Sequence, residues 1–145
     1  MAKTTSLKKI SSMMKGIDLC MLTTVNGRGA PLSRPMSNNG DVDYDGTSYF
    51  FTDKKSLMVR ELQKNPSVGL SFTHPKWFGK TFISVTGKAN LTTDKSIMEK
   101  HWTPDLEIWF KDGIDTKGIV MIEVKAKHIK FWENNKEGEV VINNR

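Results

Sequence analysis

The chain has little of what disulfide scaffolds, metal centres and membrane spans are built from. Cysteine occurs once in 145 residues, so no intrachain disulfide can form. Its place in the run Ile17-Asp18-Leu19-Cys20-Met21-Leu22 suits a small buried hydrophobe better than a nucleophile. Histidine occurs three times, at His74, His101 and His128. These are too far apart to make a short ligand pair, and no metal is expected. No apolar run approaches the roughly 20 residues of a spanning helix. Residues 1–10 carry positive charge without a following apolar region or a small-residue cleavage site. Neither a secretory signal nor a membrane association is therefore expected, and the cytoplasm is the expected location.

What is present describes a folded domain. Hydrophobic residues at 37% and charged residues at 26% argue against disorder, and the length suits a single domain over residues 1–145. A chain this short buries only about two-thirds of its unfolded surface, so a partner subunit would add to its stability. Lys and Arg number 22 against 16 Asp and Glu, a net charge of +6 that favours an anionic partner. The excess is spread along the chain, which a generic basic surface also explains.

Leu7, Ile10, Met13 and Met14 recur at helical spacing behind Ser6, which predicts an amphipathic helix stopped by Gly16. Residues 17–25 and 30–38 read as strands joined by the turn Asn26-Gly27-Arg28-Gly29. Pro31 and Pro35 cannot donate to a ladder, so the second of these strands belongs at an edge or a bulge. A polar turn over 38–46 precedes a strand over 47–52. Its aspartates Asp41, Asp43 and Asp45 lack the spacing of a calcium loop and read as solvated. A helix over 57–64 ends at Asn65-Pro66, a strand runs over 67–73, and residues 74–80 form a loop. A long strand over 81–91 passes Gly87, and a helix starts near Thr93 with Asp94 in its first turn. Trp102-Thr103-Pro104 interrupts that helix. Leu106, Ile108, Trp109 and Phe110 then form an apolar cluster before Asp112-Gly113. The last strand covers 118–124 with 125–133 as its alternating continuation. Roughly six strands and two or three short helices with short connections point to antiparallel pairing in a mainly β, α+β fold, a small barrel or strongly curved sheet with flanking helices.

The stretch from Ser33 to Ser56 carries the chemistry. One strand delivers the guanidinium of Arg34, the next ends in the hydroxyl of Thr52, and Ser56 opens a helix whose unpaired N–H groups favour an anion. Aromatic residues beside such a pocket suit a planar ring. A ligand with a phosphate tail and an aromatic head fits, and flavin mononucleotide is one.

Six motifs in order and spacing resemble the pyridoxamine 5′-phosphate oxidase-like family of flavin-binding split barrels, in particular its bacterial general stress protein branch. They are Ser33-Arg34-Pro35-Met36, Tyr49-Phe50-Phe51-Thr52-Asp53, Ser56 with Leu62 and Asn65-Pro66, Val85-Thr86-Gly87-Lys88-Ala89, Trp109 to Gly113, and Phe131-Trp132. The resemblance implies a six-stranded antiparallel split β-barrel that binds FMN at the interface of a homodimer. It implies that Arg34 and the backbone of Pro35, Met36 and Ser37 line the flavin. Phe51 and Thr52 would border the phosphate, which Lys55, Ser56, Leu57 and Met58 would hold at the helix start. Trp109 and Phe110 would lie near the partner's cofactor. Met58 stands where the family commonly has a lysine. Loss of that charge-assisted bond would cost about 1.5–3 kcal/mol, leaving Lys54 or Lys55 to compensate.

The implied function is an FMN-dependent oxidoreductase acting on a small quinone-like or aldehyde-like molecule with a nicotinamide donor, or a flavin store or sensor without turnover. Pyridoxamine 5′-phosphate oxidase activity itself is not expected, because the basic C-terminal substrate segment of those enzymes is lacking. No catalytic acid or base is evident; His74 and His101 read as surface or packing residues. Two other classes compete. A nucleic-acid-binding barrel would stack bases on Tyr49, Phe51, Trp77 and Phe78. A haem-binding barrel would use His128 as axial ligand, although strand alternation makes that residue an outward polar one.

Overall fold

Eight strands, three helices and two short 3-10 segments follow one another in the computed structural model, which describes residues 3–4, 6–38, 43–74 and 80–142. The strands are β1 (Lys3–Thr4), β2 (Leu19–Val25), β3 (Pro31–Ser37), β4 (Thr47–Asp53), β5 (Ser67–Thr73), β6 (Thr81–Thr92), β7 (Ile119–Glu133) and β8 (Lys136–Val141). The helices are α1 (Leu7–Met14), α2 (Leu57–Lys64) and α3 (Lys95–Glu99), and the 3-10 segments cover Pro104–Ile108 and Gly113–Asp115.

One sheet holds all the strands in the order β1-β8-β7-β6-β5-β2-β3, with β4 added on β7. Every pairing is antiparallel except the short parallel contact of β1 with β8. The 15-residue β7 makes this layout work. Its first half pairs with β4 from Ile119 to Lys125, and its second half pairs with β8 from His128 to Glu133, while β6 runs along the other side. Among the described residues no ladder joins β3 to β4, so the curved sheet stays open between them. The proline-bearing β3 is the edge strand, as Pro31 and Pro35 require.

Strict alternation sorts the side chains. On β2, Cys20, Leu22 and Thr24 face the core while Leu19 and Met21 point outward. The main core joins Cys20 and Leu22 to Ile10, Met13 and Met14 of α1, Met58 and Leu62 of α2, Phe50, Leu70, Phe72, Ile83, Ile122 and Ile129. A second, smaller cluster of Phe51, Met98, Ile119 and Met121 lies on the opposite face of β4 and β7, under α3 and the 3-10 segments. Buried Cys20, whose thiol burial pushes up to about 12, is the inert hydrophobe its setting suggested.

The six expected strands are all present, and β1 and β8 extend the sheet beyond them. The chain therefore does not leave the sheet after β7. It turns through Asn134, in the left-handed region at φ 57°, and returns as β8. The charged run Lys136-Glu137-Gly138-Glu139 conceals this strand, which gains its seat from ladder bonds to β7 and the burial of Val140. Asp41, Trp77 and Phe78 lie outside the described residues. No helix among those described is long and apolar enough to cross a membrane.

Candidate functional site

The start of α2 presents a set of donors made mostly of backbone. Asp53 and the two lysines after it turn the chain sharply: the Asp53 carboxylate accepts the Lys55 N–H at 2.7 Å and its carbonyl accepts the Ser56 N–H at 3.0 Å. Ser56 then caps the helix, its Oγ accepting the Val59 N–H at 3.2 Å and its carbonyl the Arg60 N–H at 3.3 Å. That arrangement uses the third and fourth amides and leaves those of Leu57 and Met58 without an acceptor among the described residues. With the Ser56 hydroxyl proton they make three donors at the positive end of a helix, the arrangement that holds phosphate. The side chains at 57 and 58 do something else. Leu57 is exposed and Met58 is 5% exposed within the main core, so position 58 would contribute an N–H and no side-chain group.

Arg34 is brought to this end of the molecule but is already engaged. It pairs with Leu22 across the β2–β3 ladder, so it shares the inward face with Leu22 and Thr24. Its Nη1 donates to Thr24 Oγ1 at 2.7 Å, and its Nη2 meets Glu61 Oε1 at 3.4 Å. Fully buried Thr24 donates in turn to Glu61 Oε1 at 2.7 Å. Glu61 is 8% exposed and is the only acid among the buried positions of α2. This triad ties β2 and β3 to α2. Sequence reasoning missed Glu61; its signal was a carboxylate at a helix position between apolar Val59 and Leu62 on the buried face.

Alternation separates the remaining expected residues. Met36 follows Arg34 inward, whereas Pro35 and Ser37 lie opposite Met21 and Leu19 on the outer face of the sheet. On β4, Thr52 shares the Phe50 face near α2, while Phe51 packs into the second cluster with Trp102 edge-on at 5.0 Å. Lys54 and Lys55 are exposed beside the start of α2. Phe110 packs against Trp102 at 5.8 Å, but Trp109 and Ile108 are 68% and 79% exposed, so the apolar segment is split between its own core and open surface.

A cavity of about 370 Å³ opens where β3 ends and β4 begins, walled by Asn38, Ser48 and Tyr49 on one side and by Lys100, His101 and Trp102 on the other. The His101 ring stacks on Tyr49 at 3.5 Å, a packing role rather than a ligand's. Burial lowers the His101 pKa below its ordinary 6.5, only partly opposed by the Glu123 carboxylate, so the ring is neutral at neutral pH. A base depressed on folding supports the fold fully above 6.5 and withdraws that support as pH falls below it. The melting temperature should therefore decline on acidification from pH 6.5, and His101→Gln should flatten that limb in a pH series of thermal melts.

Of the residues read as base-stacking, Tyr49 has one ring face stacked on His101 and Phe51 is 6% exposed in the second cluster. His128 sits half-buried with Nε2 2.8 Å from Glu139 Oε2, the nitrogen a haem iron would take. Asp43 is paired with Lys15 and the Asp45 carboxylate accepts the Thr47 N–H. Among the described residues no three acidic, histidine or cysteine side chains converge.

Comparison with known proteins agrees with this architecture. The sequence model of the family described as pyridoxamine 5′-phosphate oxidase like matches residues 5–144. Protein bli-3 of Neurospora crassa is 26% identical over 152 residues, covering 92% of this chain and 68% of its own. Among solved structures, a Clostridium acetobutylicum protein related to general stress protein 26 superposes with a TM-score of 0.78 at 22% identity, covering 94% of each chain. A FAD-binding protein of Mesorhizobium loti gives 0.72 at 16% identity, covering 92% of this chain and 98% of that one. The shared fold is the split barrel.

Proposed function

The chain belongs to the pyridoxamine 5′-phosphate oxidase-like family, and on that premise we propose that it binds flavin mononucleotide in the seam between β3 and β4, with the phosphate on the start of α2. The observation that carries this reading is the set of three donors, the Ser56 hydroxyl and the N–H groups of Leu57 and Met58, left open by a capped helix. Those donors need no lysine at position 58. Thr52 and the exposed Lys54 and Lys55 add polar groups and charge at the same end. Arg34 acts chiefly through Glu61, holding the seam's edge strand against α2.

The isoalloxazine would lie along Pro35, Met36 and Ser37, whose strand edge has no neighbour on that side among the described residues. Its outer flank is apolar and open. Leu19, Met21 and, elsewhere, Ile108 and Trp109 are all exposed in one protomer, and a second copy covering them would complete the flavin pocket as a homodimer. Bound flavin supplies two-electron redox chemistry. The chain's own contribution is orientation, exclusion of water and the cavity beside His101, room enough for a small quinone-like or aldehyde-like acceptor.

Titration of the purified, flavin-free protein with FMN and with riboflavin, followed by quenching of flavin fluorescence, tests the phosphate assignment. FMN should bind at least about tenfold more tightly than riboflavin, and Ser56→Ala should erase most of that difference while costing about 1 kcal/mol of stability through the lost cap. Equal binding of the two flavins would contradict the assignment.

A further inference from the structure

A second cavity, of about 590 Å³, opens between α2 and the β2–β3 turn, and its lining includes Val25, Gly27, Leu57, Arg60, Glu61 and Lys64. Its volume falls within the roughly 300–1,000 Å³ of ligand pockets. Glu61 belongs to two settings at once. Its Oε1 accepts from Thr24 at 2.7 Å and from Arg34 at 3.4 Å, which makes the buried triad. Its Oε2 accepts no hydrogen bond among the described residues, although the side chain is only 9% exposed. Oε2 is nevertheless not sealed from solvent, and the space that Glu61 lines is this cavity. A carboxylate offers two oxygens and about four acceptor sites, so Thr24 and Arg34 leave it able to take a further donor.

Arg60 and Lys64 are exposed, stand four residues apart on one stripe of the helix, and have neither a hydrogen bond nor an ion pair among the described residues. Val25 and the exposed Leu57 add aliphatic surface. The cavity thus joins three chemistries: a nearly buried carboxylate oxygen that lacks a donor, two cations that lack an anion, and an apolar wall. A plain anion would use the cations but leave the Glu61 oxygen unmet and set its own charge near a carboxylate. A plain cation would use Glu61 but face Arg60 and Lys64. A molecule with an ammonium and a carboxylate on one small frame satisfies both.

We propose that this cavity binds a small zwitterionic amino carboxylate, an amino acid with a large apolar side chain: the ammonium donates to Glu61 Oε2, Arg60 and Lys64 hold the carboxylate, and the side chain lies against Val25 and Leu57. The site is separate from the flavin seam. Phenylalanine is titrated into the flavin-free protein beside hydrocinnamate and phenethylamine, which each lack one of its charged groups, and binding is followed by amide NMR shifts with Gly27 and Lys64 as local reporters. Phenylalanine should bind about tenfold or more tightly than either analogue, and the R60Q/K64Q double variant should bring it down to the affinity of phenethylamine. Either analogue binding as tightly as phenylalanine, no shift at Gly27 and Lys64 up to the solubility limit, or an affinity that survives the double substitution overturns the proposal. Saturating FMN should leave the affinity for phenylalanine within about twofold, whereas displacement of one by the other would make the cavity part of the flavin site and overturn its separate assignment. The flavin-free titration stands whether or not FMN binds, so failure of the flavin reading is told apart from failure of this one. Because Arg60 and Lys64 are exposed, an unchanged melting temperature for the double variant will show that its fold is intact, and the analogue comparison needs only the parent protein.

Discussion

Glu61→Leu is expected to lower the stability of the fold by about 3 kcal/mol, the lower end of the range for stripping one partner from a buried ion pair, because Arg34 keeps some access to water. The substitution leaves the fully buried Thr24 hydroxyl without its acceptor and the Arg34 guanidinium, 20% exposed, without its counter-charge. Leucine fills the space, so the loss comes from unpaired polar groups rather than a void. That distinguishes it from a core deletion. Adding Arg34→Met and Thr24→Val to Glu61→Leu should recover most of the loss, since replacing every partner in a buried network by apolar groups is close to neutral. Urea denaturation midpoints of the single and triple variants measure this directly. Additive losses would mean that the three side chains act separately.

Gly87→Ala should cost more still for one methyl group, about 3 kcal/mol or above, beyond the usual range for overpacking because the obstacle is backbone. Gly87 sits at the register shift where Thr86 pairs with His128 but Gly87 with Ala126, leaving Lys127 as the extra residue of a bulge in β7. A Cβ at Gly87 would stand 2.4 Å from the Lys125 carbonyl oxygen and 3.2 Å from the Ala126 Cα. Neither atom can move without breaking the β6–β7 ladder, the longest in the sheet. Gly27→Ala, in open space, serves as the control and should be nearly silent. A Gly87→Ala protein within about 0.5 kcal/mol of the parent would show that the bulge relaxes freely.

The parts of this fold legible in the sequence are those set by local rules. The α2 helix begins and ends where Ser56 and Asn65-Pro66 place it, and β5 spans 67–73 as expected after that stop. The prolines of β3 foretold an edge strand. What stayed hidden depends on contacts far apart in the chain. The strand β8 has no hydrophobic signature of its own and exists through β7. Arg34 read as a free guanidinium because its partner, Glu61, is 27 residues away. Likewise Phe51 and Thr52 read as neighbours at one phosphate, whereas the pleat sends them to opposite faces of β4. The motif around Gly87 was recognisable as a pattern, whereas the Lys125 carbonyl that leaves no room for a Cβ there lies on another strand, far along the chain.

The flavin assignment is tested most directly by thermal melts of the purified protein across a range of FMN concentrations, with riboflavin in parallel. A ligand that binds only the folded state stabilises it by about 2.7 kcal/mol at one hundred times its dissociation constant, so the melting temperature should climb with FMN concentration and much less with riboflavin, which lacks the phosphate that α2 would hold. A melting temperature indifferent to FMN at every concentration would contradict the account.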